Sequence, residues 1–184
     1  MLDDFSGLSA ALHRHAVRHP GRAEVTVNFT DFLASTADAF ERSHAPGHFT
    51  GSAWLVSADG ARVLLTHHRK LGRWLQLGGH ADGDIDLAAV ALREAEEESG
   101  LRDLAVEREI FDLDAHRIPA RGHEAEHWHY DVRYVVRCCG SEAFAVSEES
   151  LALAWVPIDE LADDPLADES LRRMARMWLG KPFR

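Results

Sequence analysis

Arg93, Glu94, Glu97 and Glu98 fall close together in the run ALREAEEESG, which ends at Gly100. On a helix, Glu94, Glu97 and Glu98 stand at i, i+3 and i+4, so three carboxylates share one face. Ala88, Ala91, Leu92 and Ala95 form an apolar stripe beside it that a sheet can cover. Like charges at i,i+4 cost a helix roughly 0.2–0.5 kcal/mol per pair. A hard cation such as Mg2+ or Mn2+ removes that repulsion and takes the same oxygens as ligands. A solvated helix face would present this run with no ligand at all, so the flanks must decide between the two.

A second set of donors is the histidines, twelve in all. His48 opens a strand, His80 directly follows Gly79, and His127 and His129 alternate along a strand and so face the same way. If these strands converge, three or four imidazoles meet at one point and suit Zn2+, Mn2+ or a similar transition metal. The alternative is a set of polar residues at a cleft mouth. His116, His123 and the N-terminal histidines are expected to be solvated.

The elements that must hold these groups follow from pattern. Strands are expected over Thr50–Ser57 and Ala61–His67, joined by the Ala58-Asp59-Gly60 turn. Trp74-Leu75-Gln76-Leu77-Gly78-Gly79 leads into the acidic helix, where glycine lets backbone approach a ligand closely. Further strands are expected over Leu104–Asp114, Glu126–Arg137 and Leu151–Val156, with a last helix at about Asp168–Leu179. Ahead of them, helices are expected over Leu2–Arg18 and from Asn28 or Asp31 to Arg42. The basic residues His13, Arg14, His15, Arg18, His19 and Arg22 read as a solvated helix face. Residues 1–47 therefore read as an N-terminal helical extension on a main unit, 48–184. Strands interleaved with helices imply an α/β fold, a mixed sheet between helical layers.

Composition narrows the partners. With 20 Lys+Arg against 31 Asp+Glu, the net charge is −11, which argues against polymeric nucleic acid. It leaves room for a small phosphorylated ligand, because bound divalent cations reverse the local field. At 184 residues and 46% hydrophobic, one domain with a proper core is expected. No window approaches the ~20 apolar residues of a membrane helix. MLDDFSG lacks the hydrophobic region of a secretion signal. The adjacent cysteines, Cys138 and Cys139, are poorly placed to staple the fold, so a reducing, cytoplasmic setting is the default. Oligomeric state stays open, with a homodimer among the options.

The stretch Gly79–Leu101 resembles the Nudix box, a glycine followed by a long gap and then Arg-Glu-aliphatic-x-Glu-Glu-x-Gly-aliphatic. Gly79, Arg93, Glu94, Ala95, Glu97, Glu98, Gly100 and Leu101 match it in register. Ile85, flanked by Asp84 and Asp86, replaces the glutamate usual midway. Trp74 to Gly79 is similar to the usual Nudix entry, with Leu77 in place of proline. Trp155-Val156-Pro157 before Asp159-Glu160-Leu161 is similar to the family's C-terminal pattern. The resemblance implies the α/β/α Nudix sandwich over about residues 48–165, and hydrolysis of a pyrophosphate bond by water. It implies Mg2+ or Mn2+ on Glu94, Glu97 and Glu98, with the Gly78 carbonyl as a further ligand. Arg93 would be the structural arginine that positions a box glutamate. The general base would come from Glu148 or Glu149, with Glu98 competing. The substrate would be a nucleoside diphosphate linked to another group, or a related organic pyrophosphate. Trp74, Trp128 and Tyr130 are candidates to stack on a base.

A looser resemblance is to isopentenyl diphosphate isomerase, which shares the Nudix fold. His48, Gly79-His80 and the pair His127/His129 fall near that enzyme's metal ligands. Its catalytic cysteine matches Gly78, which removes the proton-transfer group, and it lacks the full box kept here. Hydrolase is therefore favoured over isomerase. A Nudix-fold sensor that binds nucleotide without cleaving it is the third reading, and the intact glutamate trio speaks against it.

Overall fold

A computed structural model describes residues 5–122, 124–148 and 150–181. Seven strands, β1 (Gly47–Val56), β2 (Arg62–His68), β3 (Arg73–Leu75), β4 (Leu77–His80), β5 (Leu104–Ile118), β6 (His127–Cys138) and β7 (Ser150–Pro157), form one mixed sheet. Its path is β3-β2-β1-β6-β5, with β4 joined to β1 and β7 to β2. Among the described residues there are five α-helices: α1 (Ser6–Arg18), α2 (Ala23–Ser35), α3 (Leu87–Ser99), α4 (Ile158–Asp163) and α5 (Glu169–Trp178).

Alternation along the two central strands divides the core. β1 and β6 run parallel, with Phe49 opposite Tyr130 and Gly51 opposite Val132. Those residues face α1, α2 and α3, where Leu12, Phe29 and Phe32 share one core with Phe49, Leu55 and Val132. Trp54 and Val135, on the other face, pack with Val63, Leu65 and the helices α4 and α5. Helices thus cover both faces, the expected α/β/α layering. β1 and β2 pair only at Val56↔Val63, and towards its start β1 takes β4 instead, from Ala53↔Leu77 to Thr50↔His80. The sheet therefore forks, and His48 lies at the open end. Among the described residues, no helix is long and apolar enough to cross a membrane.

The first helix ends at Arg18 as expected, its expected start at Leu2 lying outside the described residues, but the second departs from the expected reading. α2 begins at Ala23 and stops at Ser35, a turn and more ahead of the Asn28- or Asp31-to-Arg42 expectation. Thr26, Phe29, Phe32 and Leu33 make a buried helical stripe that starts earlier, and the 3-10 turn Pro20–Arg22 feeds straight into it. Thr36 then takes extended dihedrals and ends the helix. The basic residues of this region are only in part a solvated face: His13, Arg14 and Arg18 are exposed, while His15 is buried. Arg14 and Arg18 grip Glu109 on β5 at 3.2 and 2.5 Å, and Arg22 reaches Asp112 at 3.3 Å. His15 is fully buried, its Nδ1 3.2 Å from Thr26 Oγ1. Burial, with the nearby His19, lowers its pKa to about 4.

Candidate active site

The acidic helix α3 is fixed at both ends. Asp86 caps it by accepting from the Ala89 N–H at 3.1 Å, a contact worth ~1 kcal/mol. Gly100 ends it in the left-handed conformation at φ +67°. Ala88, Ala91 and Ala95 are buried against the sheet. Small residues are needed on both sides here: a Cβ on Gly51 would strike the Leu87 carbonyl and Val90.

This close approach brings the carboxylates onto β4. Glu98, 8% exposed, accepts the Gly78 N–H at 2.8 Å. The Glu94 carboxylate lies where a Cβ on Gly79 would have to be. Glu97 is exposed. Arg93 lies 3.8 Å from Glu94 and 3.4 Å from Asp84, so its charge is shared between the helix and the loop before it. The backbone at Gly78-Gly79 thus meets the two inner glutamates of the trio, with the third facing water. Ile85, which is 47% exposed, sits beside Phe5 and Phe40 at an apolar hollow against α1.

One residue beyond Gly79, His80 belongs to a different assembly. The β1/β6 register sets His48 opposite His129, and β4 adds His80 opposite Thr50. Ring centroids of His48 lie 5.1 Å from His80, 5.1 Å from His127 and 4.8 Å from His129. His48, His80 and His129 each bring a ring nitrogen within 4.8 Å of the others. His127 Nε2 is 3.3 Å from His129 Nε2, while its Nδ1 donates to the Ala125 carbonyl at 2.9 Å. His48 is 2% exposed, and neither of its nitrogens completes a hydrogen bond. A backbone group of His44 comes near without normal geometry. A buried polar group left in this state costs about 1–3 kcal/mol. Burial and the neighbouring imidazoles lower the His48 pKa to about 4 and that of His129 to about 2. At neutral pH both rings carry a free lone pair.

The four rings line a cavity of ≈ 850 Å³ at the fork, together with Arg42, Lys70, Leu71, Ile118, Arg121 and Glu124. Behind them, the same sheet face carries a buried ionic network. Asp131 accepts from Thr50 Oγ1, Ser52 Oγ, Gln76 Nε2 and Arg133 Nε at 2.7–3.2 Å. Arg133, 2% exposed, also pairs with Asp112 at 3.2 Å and Asp114 at 3.7 Å. Arg173 from α5 binds both of those carboxylates, at 2.7 and 2.6 Å. Burial opposes ionisation of Asp114, but His116, Arg133 and Arg173 outweigh it and hold its carboxyl well below the usual range.

Other expected residues are dispersed. Trp128 and Tyr130 point to the opposite sheet face from the histidines. Tyr130 stacks on Phe32 at 3.9 Å, and Trp128 lines a hollow beside α2. Trp74, 39% exposed, stacks on His67, while His68 turns into the fork cavity. Glu148 is exposed on the loop before β7, its carbonyl accepting from Arg69 Nε at 2.9 Å. Glu149 and His123 lie outside the described residues. His116, expected in solvent, has its ring 5.7 Å from His129 and its Nδ1 on Asp114. The ionic network was not anticipated, although HWHYDVR places His127, His129, Asp131 and Arg133 on one strand face.

Comparison with known proteins gives the family. The profile of the NUDIX domain matches residues 48–177. The chain belongs to the NUDIX family. As a Nudix member with the box glutamates in place, it is a hydrolase of pyrophosphate bonds. Solved structures share the fold at low identity. A C. elegans Ap4A hydrolase in a binary complex has 15% identity and a TM-score of 0.57, over 72% of this chain and 95% of that one. A Methanosarcina mazei MutT protein has 17% identity and a TM-score of 0.56, over 74% and 96%. A Nudix hydrolase from M. smegmatis has 22% identity and a TM-score of 0.53, over 75% and 90%. No curated protein matches the sequence.

Proposed function

We propose that this Nudix chain is a Mg2+- or Mn2+-dependent hydrolase of a nucleoside diphosphate linked to another group. One observation carries the reading: Glu98 held by the Gly78 N–H, Glu94 over Gly79 and Glu97 open to solvent gather three carboxylates at one turn. An all-oxygen, negatively charged donor set is what a hard divalent cation requires. When bound, such cations neutralise the diphosphate oxygens and acidify a water. The chain's own residues orient the rest. The Gly78 amide holds Glu98 in place, and Arg93 does the same for Glu94. Glu98 and Glu148 are the candidates to take the proton of the attacking water, a role worth about 10²–10⁴ in rate. The catalytic unit of this reading is residues 48–184, with residues 1–47 as an N-terminal extension whose helices α1 and α2 complete its core. A cytoplasmic setting fits the two free cysteines.

The isomerase reading needs a proton-transfer side chain at position 78. Gly78 has none, and a Cβ there would overlap Ser52 Oγ. The deciding experiment is phosphate release from a panel of nucleoside diphosphate derivatives with Mg2+ or Mn2+. Turnover is expected from the native chain and none from Glu97→Gln or Glu98→Gln, with circular dichroism unchanged. Turnover that survived both substitutions would overturn the site, and binding without turnover in the native chain would make it a sensor.

A further inference from the structure

The proposed hydrolysis does not call on the imidazoles at the fork, and the hydrogen bonds found among them, from His127 to Ala125 and between His127 and His129, do not reach His48. A hydrogen bond from His129 to His127 would account for that pair alone. It leaves His48, buried at 2% exposure, with two nitrogens and no completed bond. Hydrogen bonding within the protein therefore does not explain why a polar ring sits there.

We propose that His48, His80 and His129 hold one transition-metal ion of the zinc class, with its fourth coordination position open to the fork cavity for an anionic oxygen. Three protein nitrogens with one open position is the ligand count of reactive zinc sites, whereas structural sites are closed by four. Imidazole donors with no carboxylate among them favour Zn2+, Co2+ or Cu2+ over the Mg2+ suited to the box. Nitrogen ligands at about 2.0–2.1 Å from a tetrahedral ion stand about 3.3 Å apart, so the present span of up to 4.8 Å closes with small ring rotations. His127, with its Nδ1 hydrogen on the Ala125 carbonyl, presents its Nε2 lone pair at the rim, 3.3 Å from His129. There it can accept a hydrogen bond from a protonated oxygen of an incoming phosphate. The cavity walls carry Arg42, Lys70 and Arg121 against one acid, Glu124. A phosphoryl or carboxylate oxygen meets positive charge on the way in and a metal at the bottom.

This assignment stands apart from the hydrolase reading, and the two can fail separately. The test uses the full chain without a histidine tag, stripped with chelator and titrated with Co2+ and Zn2+. One equivalent of Co2+ should give the visible absorption of a tetrahedral nitrogen site, and Glu98→Gln should keep it. His80→Gln and His129→Gln should each weaken Zn2+ binding by more than 100-fold. That exceeds the 10–100-fold cost of losing a group that only orients a ligand. His80→Gln is the safer variant, since His80 is less buried than His48. Inorganic phosphate or pyrophosphate should then shift the cobalt spectrum. Sub-stoichiometric binding, or binding retained in both variants, overturns the metal site. A cobalt spectrum indifferent to both anions overturns the open position and makes the centre a closed one with His127 as fourth ligand.

Discussion

The carboxylate turn and the histidine cluster are neighbours on β4, yet they are built on opposite rules. Gly78 and Gly79 serve the first because they have no side chains, which lets α3 press Glu94 and Glu98 onto the backbone. His80 serves the second with its side chain, among rings held by three strands. One site is hard oxygen, charged and half open to water. The other is neutral nitrogen, sunk into the sheet. A four-residue strand can feed both because Gly79 and His80 project to opposite faces, while Gly78, on the His80 face, gives Glu98 only its backbone N–H. On the two proposals above, donor chemistry separates hard from borderline cations without any need for distance between the sites.

The comparison can be broken most sharply at the glutamates. Glu98→Gln should lower hydrolysis by at least 10²–10⁴-fold, measured as phosphate release, and leave cobalt binding at the imidazoles unchanged. If both fell together, the sites would be one. Next in size is the ionic network behind the histidines. Arg133→Met strands Asp131 and Asp112 without their central cation and should cost about 3–5 kcal/mol in urea unfolding. A smaller loss would mean that Arg22 and Arg173 carry most of the compensation. Zn2+ at 100 times its dissociation constant should raise stability by about 2.7 kcal/mol, seen as a higher melting temperature. That increment should vanish in His129→Gln and persist in Glu98→Gln.

The smallest expected effect comes from a histidine in neither site. His15 has a folded pKa of about 4 against an ordinary 6.5, chiefly through burial, with His19, Arg18 and Arg22 adding and Asp112 opposing. Between those values the unfolded chain binds more protons, so stability rises with pH and is lost on acidification from 6.5 towards 4. The loss between pH 7 and pH 5 is on the order of 2 kcal/mol. His15→Gln should remove that increment and leave the slope that buried His48 and His129 contribute over the same range.

The box was legible because its information is local. Helix period, a cap, a stop glycine and a glycine entry all lie within one stretch, Gly79–Leu101. Alternation also placed His127 and His129 on one face, and the same rule, carried one residue further, sends Trp128 and Tyr130 to the other. What stayed hidden depends on distant partners. His15 looks like any helix-surface histidine until Thr26 and α2 cover it. The α2 boundaries were missed because its stripe is defined by the Phe49 and Tyr130 rings it packs on. Asp131 and Arg133 gain meaning only when β5 brings Asp112 and Asp114 alongside.

The parallel register of β1 and β6 has a kinetic consequence. Thr50 and Asp131, paired in it, stand 81 residues apart in the chain. Pairing of that sequence separation is slow to form and late. His48 meets His129 only when it is complete, so a metal ion bound there has nothing to grip while the chain is still searching. It should leave the refolding rate as it is and slow unfolding instead, acting as a latch on a finished sheet and not as a seed for one.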